Sequence, residues 1–444
     1  MPRRGGEARP AADRGRHRLA APRASIPSVA DGPPADPPGV EGDAGGDLVK
    51  VCLLTPEFLP TWGGIGTYAY NLAMGLRDRA EVHVVTTARG GVAASARSLD
   101  GIQVHVIHPD GASKAGLGLS FQLAAFRHLP RLDRIHSFDV VHANHAYMSD
   151  LLARLRRLSG ARAVTVHTTL GTQVEGTLRA GGRAPRDARE KTIARWRPVF
   201  RKVEGRYLRN TAAMIFVSQW VRNHAVSRYR LAPRVSAIIP NGISMEPFAR
   251  LPPGHDADRN RDDGQTLLFA GRLLALKGIE TLLRAMTRLD RTIRLLLAGP
   301  GDPAAWRGMA DAIGLDRERC RFLGSVPYGA MPALYHRADA VVLPSFSESC
   351  PMVALEAMAS GTPLIAAAAG GVREIVTDGE SGWLFPPGDV DGLVDRVETV
   401  LSDAGRAREV AARARGWVEE NATVERMADR TLRLFEEACG GAAS

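Results

Sequence analysis

Apolar, β-branched runs recur along this chain in two series, with stretches of helical periodicity between them. The first series passes through 49–55 (VKVCLLT), 81–87 (EVHVVTT), 102–107 (IQVHVI), 139–143 (DVVHA), 163–167 (AVTVH), 213–217 (AMIFV) and 235–239 (VSAII). The second passes through 266–271 (TLLFAG), 293–298 (IRLLLA), 321–324 (RFLG), 339–344 (DAVVLP) and 362–367 (TPLIAA), with helices near 278–289, 304–314, 328–338 and 351–359. Strands that alternate with helices imply βαβ units and a parallel sheet. The Pro/Gly/Asp-rich stretch 249–264 (ARLPPGHDADRNRDDG) separates the two series and predicts a linker. The expectation is therefore two doubly wound α/β lobes, 47–248 and 265–421, with a ligand cleft between their C-terminal strand edges. A last helix pattern, 422–438, follows the second sheet and could pack back across the linker onto the first lobe.

Composition removes whole classes of function. Of the 444 residues, 45% are apolar, enough for two large cores. No uninterrupted apolar run approaches the roughly 18–20 residues of a membrane span. The four cysteines, Cys52, Cys320, Cys350 and Cys439, form no C-x-x-C pair. That argues against a disulfide framework or a cysteine-based zinc site and fits a reducing, cytoplasmic compartment. Residues 1–46, rich in Pro, Ala, Gly and Arg, have no strand or helix periodicity and no apolar h-region of a secretory signal, so a disordered extension is expected.

The net charge of +10 is local. Residues 1–46 hold seven Arg and six acids, whereas residues 179–209 hold eleven basic residues and three acids. Within 179–209, Trp196, Val199, Phe200, Val203 and Tyr207 recur at three- and four-residue steps, giving an apolar stripe flanked by Arg. This segment fits a helix packed on its lobe with a solvated basic face. It also fits a contact with an anionic membrane surface or an anionic acceptor. RNA is the weakest option, because no nucleic-acid module is recognisable.

The chemistry-bearing residues gather in the second half. Strand 266–271 ends in Gly271-Arg272-Leu273-Leu274-Ala275-Leu276-Lys277-Gly278, ahead of a helix. Two cations at the C-terminal edge of a parallel strand can converge on a diphosphate, and the helix N-terminus adds partial positive charge. After strand 339–344 comes Ser345-Phe346-Ser347-Glu348-Ser349-Cys350-Pro351-Met352-Val353-Ala354-Leu355-Glu356. Glu348 alone fits a helix-start acid. Glu356 stands among Val353, Leu355, Ala357 and Met358, where a carboxylate needs partners. Gly370-Gly371 opens a short helix and could offer N–H groups to an anion, or form an ordinary turn.

Taken together, these residues resemble the retaining glycosyltransferases of family 4, on the GT-B fold of two Rossmann-like domains facing each other across a cleft. The resemblance covers roughly 49–437. It is strongest over 266–388, in FAGRLLALKG, LLLAGPG, and the E-x7-E spacing followed by AMASGTP. GGIGTYAYNLAMGL, DVVHANHA and IIPNGI match more loosely in the first half.

The resemblance implies a hexosyl transferase acting from a nucleotide sugar, UDP ahead of GDP or ADP, with no cofactor and no metal. It implies that Arg272 and Lys277 bind the donor diphosphate and that Glu348 binds donor sugar hydroxyls. Ser349, Cys350, Pro351, Met352 and Val353 line the donor, and Glu356 binds the ribose. Gly63 and Gly64 would close over the phosphates. A His bordering the sugar is His145 or His142, the former ahead, because the chain reads His142-Ala143-Asn144-His145. Asn144 and His167 are acceptor-side candidates. The acceptor could be a lipid, a polysaccharide, a small thiol precursor or a secondary metabolite. Two Asp-x-Asp runs, Asp256–Asp258 and Asp389–Asp391, fall in the linker and a surface turn and carry no metal expectation. The alternatives are a phosphorylase or epimerase on the same fold, or a non-enzymatic basic adaptor.

Overall fold

The computed structural model describes residues 48–58, 63–87, 97–108, 117–144, 148–181, 184–186, 188–249 and 264–440. The expected extension 1–46, nearly all of the expected linker with Asp256–Asp258, and His145 lie outside them. Leu48–Ser444 forms one compact body containing two sheets.

The first sheet contains β1 (Lys50–Leu54), β2 (Glu81–Thr87), β3 (Arg97–Leu99), β4 (Ile102–His108), β5 (Val140–Asn144), β6 (Ala161–Val166), β7 (Ala213–Phe216) and β8 (Val235–Ile238). Its order is β3-β4-β2-β1-β5-β6-β7-β8, parallel except for the antiparallel edge strand β3. The second contains β9 (Thr266–Ala270), β10 (Arg294–Ala298), β11 (Cys320–Gly324), β12 (Ala340–Leu343), β13 (Leu364–Ala367) and β14 (Trp383–Phe385). Its order is β11-β10-β9-β12-β13-β14, with every pairing parallel. This is the doubly wound order 3-2-1-4-5-6, and the first sheet repeats it from β4 to β7. β3 was not anticipated, because three residues are too few to display a period.

Helices α1 (Gly64–Leu76), α2 (Leu117–His136), α3 (Leu170–Arg179), α4 (Ala188–Arg195), α5 (Arg197–Arg209) and α6 (Gln219–Tyr229) belong to the first half. One face of the first sheet presents Cys52, Leu54, Val85 and Val141 to Phe121, Ala125 and Leu129 of α2. The other presents Val51, Leu53, Val84 and Val140 to Tyr68 and Leu72 of α1 and to Met427 and Phe435 of the helix Val424–Gly440. Covering both faces explains why these strands are near-continuous apolar runs. The helix Val424–Gly440 thus lies on the first sheet after the second is complete. A bridge between Ile243 and Thr423 fixes its start.

Strand order reverses between β1 and β5 in one sheet and between β9 and β12 in the other. The loops leaving these four strands define the two switch points where ligands of open α/β sheets bind.

Candidate active site

The loop leaving β9 carries Arg272, turns through a short 3-10 segment, Ala275–Lys277, and ends at Gly278. Gly278 has φ 70°, and a Cβ there would run into the carbonyl of Pro344. Glycine therefore lets this loop press against the loop leaving β12, and Phe346 N donates to Leu276 O at 2.8 Å. The contact brings the sequence candidates together. Lys277 Nζ donates to Glu348 Oε1 at 2.6 Å, and Ser345 Oγ donates to the same oxygen at 2.7 Å. Glu348 is 8% exposed, so it is a paired, buried carboxylate rather than a helix-start acid. Arg272 lies exposed at the same strand edge.

Glu356 sits within the helix Met352–Ala359 and is 6% exposed. Its partner is Tyr335, whose Oη donates to Glu356 Oε2 at 2.5 Å. Burial pushes the Glu356 carboxyl up to about 7, with the Tyr335 bond pulling the other way. Tyr335 and Ser345 were missed in the sequence. The signal was the demand of a buried carboxylate for a donor, which does not name the donor.

The glycine pair has a bracing role. Gly371 N donates to Glu348 O at 2.9 Å, and a Cβ on Gly370 or Gly371 would meet the carbonyls of Glu348 and Ser349. Glu374, three residues on, accepts from Gln219 N and Trp220 N of α6, each at 2.7 Å. A carboxylate from the second lobe thus satisfies orphan donors at a helix start in the first. Asn241 of the Pro-Asn-Gly-Ile run donates through Nδ2 to Cys350 O at 2.7 Å. Cys350 is buried, and burial pushes its thiol up to about 12. Pro351 precedes the helix of Met352 and Val353 as its N-cap.

Two glycines of the first lobe also approach this loop. A Cβ on Gly64 would lie 3.9 Å from Met352 Cγ, so the Gly63-Gly64 start of α1 faces the donor-side loop. A Cβ on Gly176 of α3 would lie 2.8 Å from Ser347 Cβ.

The His142 candidate lies elsewhere. Its alternation along β5 turns it onto the α1 face, where it is 2% exposed. Its Nε2 is 2.8 Å from Thr165 Oγ1, its ring lies against Phe435, and burial lowers its pKa to about 4. Thr165 also pairs with Tyr68 Oη at 2.8 Å. Asn144 Oδ1 pairs with His167 Nε2 at 3.1 Å, and His167 lies edge-on to Tyr68. Asn144 and His167 are 2% and 9% exposed. His142 is thus a core histidine, and the two acceptor-side candidates belong to a buried polar network beside it. The second Asp-x-Asp run also has local partners. Asp389 caps the helix Val390–Ser402 through Gly392 N, and Asp391 pairs with Arg288.

The basic segment forms α4 and α5, and its apolar stripe is only half covered. Tyr207 and Leu208 are buried, whereas Trp196 and Val199 are 53% and 51% exposed. Leu178 at the end of α3 is 53% exposed.

Residues 255–417 match the family model described as Glycosyl transferases group 1, and residues 62–246 match Glycosyltransferase Family 4. The chain is 30% identical to the D-inositol 3-phosphate glycosyltransferase of Corynebacterium diphtheriae, covering 77% of this chain and 82% of that protein. Sucrose-phosphate synthase from Thermosynechococcus elongatus shares its fold with TM-score 0.74 at 23% identity, over 89% of this chain and 100% of that one. Anabaena HepE in complex with UDP-glucose matches with TM-score 0.65 at 19% identity, over 87% and 99%.

Proposed function

The chain belongs to the group 1, family 4 glycosyltransferases, and from that premise we propose a retaining, metal-independent transfer of a hexosyl unit from a nucleotide diphosphate to an acceptor hydroxyl. The observation that carries this reading is the convergence of Lys277, Glu348 and Ser345 at the switch point of the second sheet. The diphosphate lies over the Gly271–Gly278 loop, where Arg272, Lys277 and the following helix start face it. As the bond from the sugar to the diphosphate breaks, its electron pair moves onto the phosphate. Fixed cations offset that charge without reorganising. Glu348 holds the Lys277 ammonium in place and offers its other oxygen to sugar hydroxyls. Glu356 accepts from the ribose hydroxyls.

Front-face attack is supported by the partners of the cleft carboxylates. Glu348 is bound by Lys277 and Ser345, Glu356 by Tyr335, and Glu374 by the start of α6. The acceptor oxygen then bonds to the anomeric carbon on the face the diphosphate leaves, and its proton goes to the departing phosphate oxygen. Family membership replaces the non-enzymatic alternative.

UDP sugars come first among donors, since HepE, a neighbour in fold, was solved with UDP-glucose. A thermal-shift panel of UDP-, GDP-, ADP- and TDP-sugars tests this, because a bound donor raises stability by RT ln(1+[L]/Kd). No shift with any of them sinks the donor reading. Activity with a sugar 1-phosphate alone, or nucleotide release that ignores the acceptor, would replace transfer with phosphorolysis or epimerisation.

The half-covered stripe on α5 supports a second element. We infer a peripheral contact between the α4–α5 surface and an anionic bilayer, with Trp196 and Val199 entering the interface and the flanking Arg and Lys residues facing headgroups. Among the described residues no helix is long and apolar enough to cross a membrane.

A further inference from the structure

Three histidines meet far along the strands from the cleft edge. His83 is the third residue of β2, His105 lies within β4, and His136 ends α2. In the register of β2 and β4, Val85 faces His105, which sets His83 and His105 diagonally on one face. That is the face covered by α2, which brings His136 down onto both. One nitrogen from each ring lies within 4.8 Å of the other two. His83 Nδ1 is 2.9 Å from His105 Nε2, and the His83 and His136 ring centroids are 4.2 Å apart.

The protonation pattern is fixed from outside. His83 Nε2 lies 2.8 Å from Glu81 Oε1, so its N–H points to that carboxylate. Its Nδ1 therefore carries a lone pair aimed into the cluster. A carboxylate on the far nitrogen of a histidine is the arrangement that orients metal-ligating imidazoles and raises their basicity. His136 closes a 20-residue helix, whose C-terminal carbonyls favour a cation.

We propose that His83, His105 and His136 form a transition-metal site on the first lobe, with Glu81 orienting His83, for a borderline divalent ion such as Zn2+. Tetrahedral binding at about 2.0–2.1 Å per nitrogen sets the ligand atoms about 3.4 Å apart. His83 and His105 separate by about half an ångström, and His136 closes in. His105 would bind through Nε2, the nitrogen that faces His83, and carry its proton on Nδ1 in the loaded form. His136 is half-buried and opens the site to solvent, which supplies the fourth ligand. The ion would clamp β2, β4 and the end of α2, away from the cleft, and the proposal is independent of the donor reading.

The test uses the full chain without a polyhistidine tag. Zn2+ uptake is read by equilibrium dialysis and elemental analysis, and Co2+ coordination by its visible spectrum. One equivalent per chain with a tetrahedral Co2+ spectrum is expected. His136→Ala should abolish it, and Glu81→Gln should weaken affinity about 10- to 100-fold. Both variants should keep the far-ultraviolet circular dichroism and the cooperative thermal unfolding of the metal-free wild type, which distinguishes metal loss from unfolding. Absence of stoichiometric uptake in the wild type, or uptake that both variants retain in full, overturns the site.

Discussion

The two strand edges that face the cleft use their polar residues in opposite ways. At the second sheet, three loops are fastened by backbone bonds, Phe346 to Leu276 and Gly371 to Glu348, and the side chains of Lys277 and Glu348 are held at the edge. At the first sheet, His142, Thr165 and Tyr68 turn inward and satisfy one another beneath α1. One edge holds polar groups where the proposed donor would meet them, and the other consumes them in folding. Substitutions should therefore cost activity on the second sheet and stability on the first.

The largest effect is expected at Lys277. Lys277→Ala should lower kcat/KM by about 10²–10³, as when a fixed electrostatic stabiliser of the transition state is removed. The protein should stay folded, with a modest fall in melting temperature because buried Glu348 keeps Ser345 as a donor but loses its ion-pair partner. Near-normal turnover would remove the assignment. Glu348→Gln keeps the shape but not the charge that anchors Lys277. One charge-assisted hydrogen bond is worth about 1.5–3 kcal/mol, so a loss of about 10- to 100-fold is expected.

Glu356 gives a pH signature. Its folded carboxyl, raised from 4.5 to about 7, makes the protein without donor lose stability as pH rises through that window. Ribose hydroxyls donate to the ionised form, so donor binding favours loss of the proton. With a pKa of about 7, donor Kd should be about tenfold tighter at pH 8 than at pH 6. Glu356→Gln should bind more weakly and with a flat profile. A wild-type Kd that does not change over this range would show that the ribose does not use this carboxylate.

The difference between the edges also explains what was legible in the sequence. Parallel strands covered on both faces are apolar throughout, so both sheets could be read from their runs, apart from the three-residue edge strands β3 and β14. The E-x7-E spacing and the Arg272/Lys277 loop were legible because they lie within one or two loops, where spacing fixes proximity. Tyr335 was not, because it reaches Glu356 from another helix, and Ser345, although three residues from Glu348, was not because spacing alone does not show which way a loop hydroxyl turns. His142 shows a related limit. A histidine near a strand end suggests a site, but the two-residue alternation decides which face it takes, and β5 sends it to the core.

His142→Leu tests that reading. It removes the bond to Thr165, which keeps Tyr68, so a loss of about 1–2 kcal/mol is expected with kcat per folded molecule little changed. Burial lowers the folded pKa of His142 from 6.5 to about 4, so the unfolded chain binds the proton first. Stability from the neutral ring is present above 6.5 and is lost as pH falls toward about 4. The variant should therefore show a shallower acid slope in urea melts. A large activity loss without a stability change would return His142 to the active site.

The smallest effect concerns the α4–α5 surface, where the contrast between the edges does not apply and exposed apolar and basic groups coexist. Trp196 and Val199 are about half exposed in one turn, beside Arg195, Arg197, Arg201 and Lys202. An interfacial helix gains from both terms, apolar burial and roughly 1 kcal/mol per basic residue near an anionic surface. Trp196→Ala should thus reduce co-sedimentation with phosphatidylserine vesicles a few-fold, while paired Arg201→Glu and Lys202→Glu should remove its salt sensitivity. A basic face that acts by electrostatics alone would respond to the charge reversals and not to Trp196→Ala, and an acceptor-binding face would lose transfer to the acceptor in solution. Vesicle binding that falls with Trp196→Ala while transfer to a water-soluble acceptor persists is the outcome that assigns this surface to the bilayer.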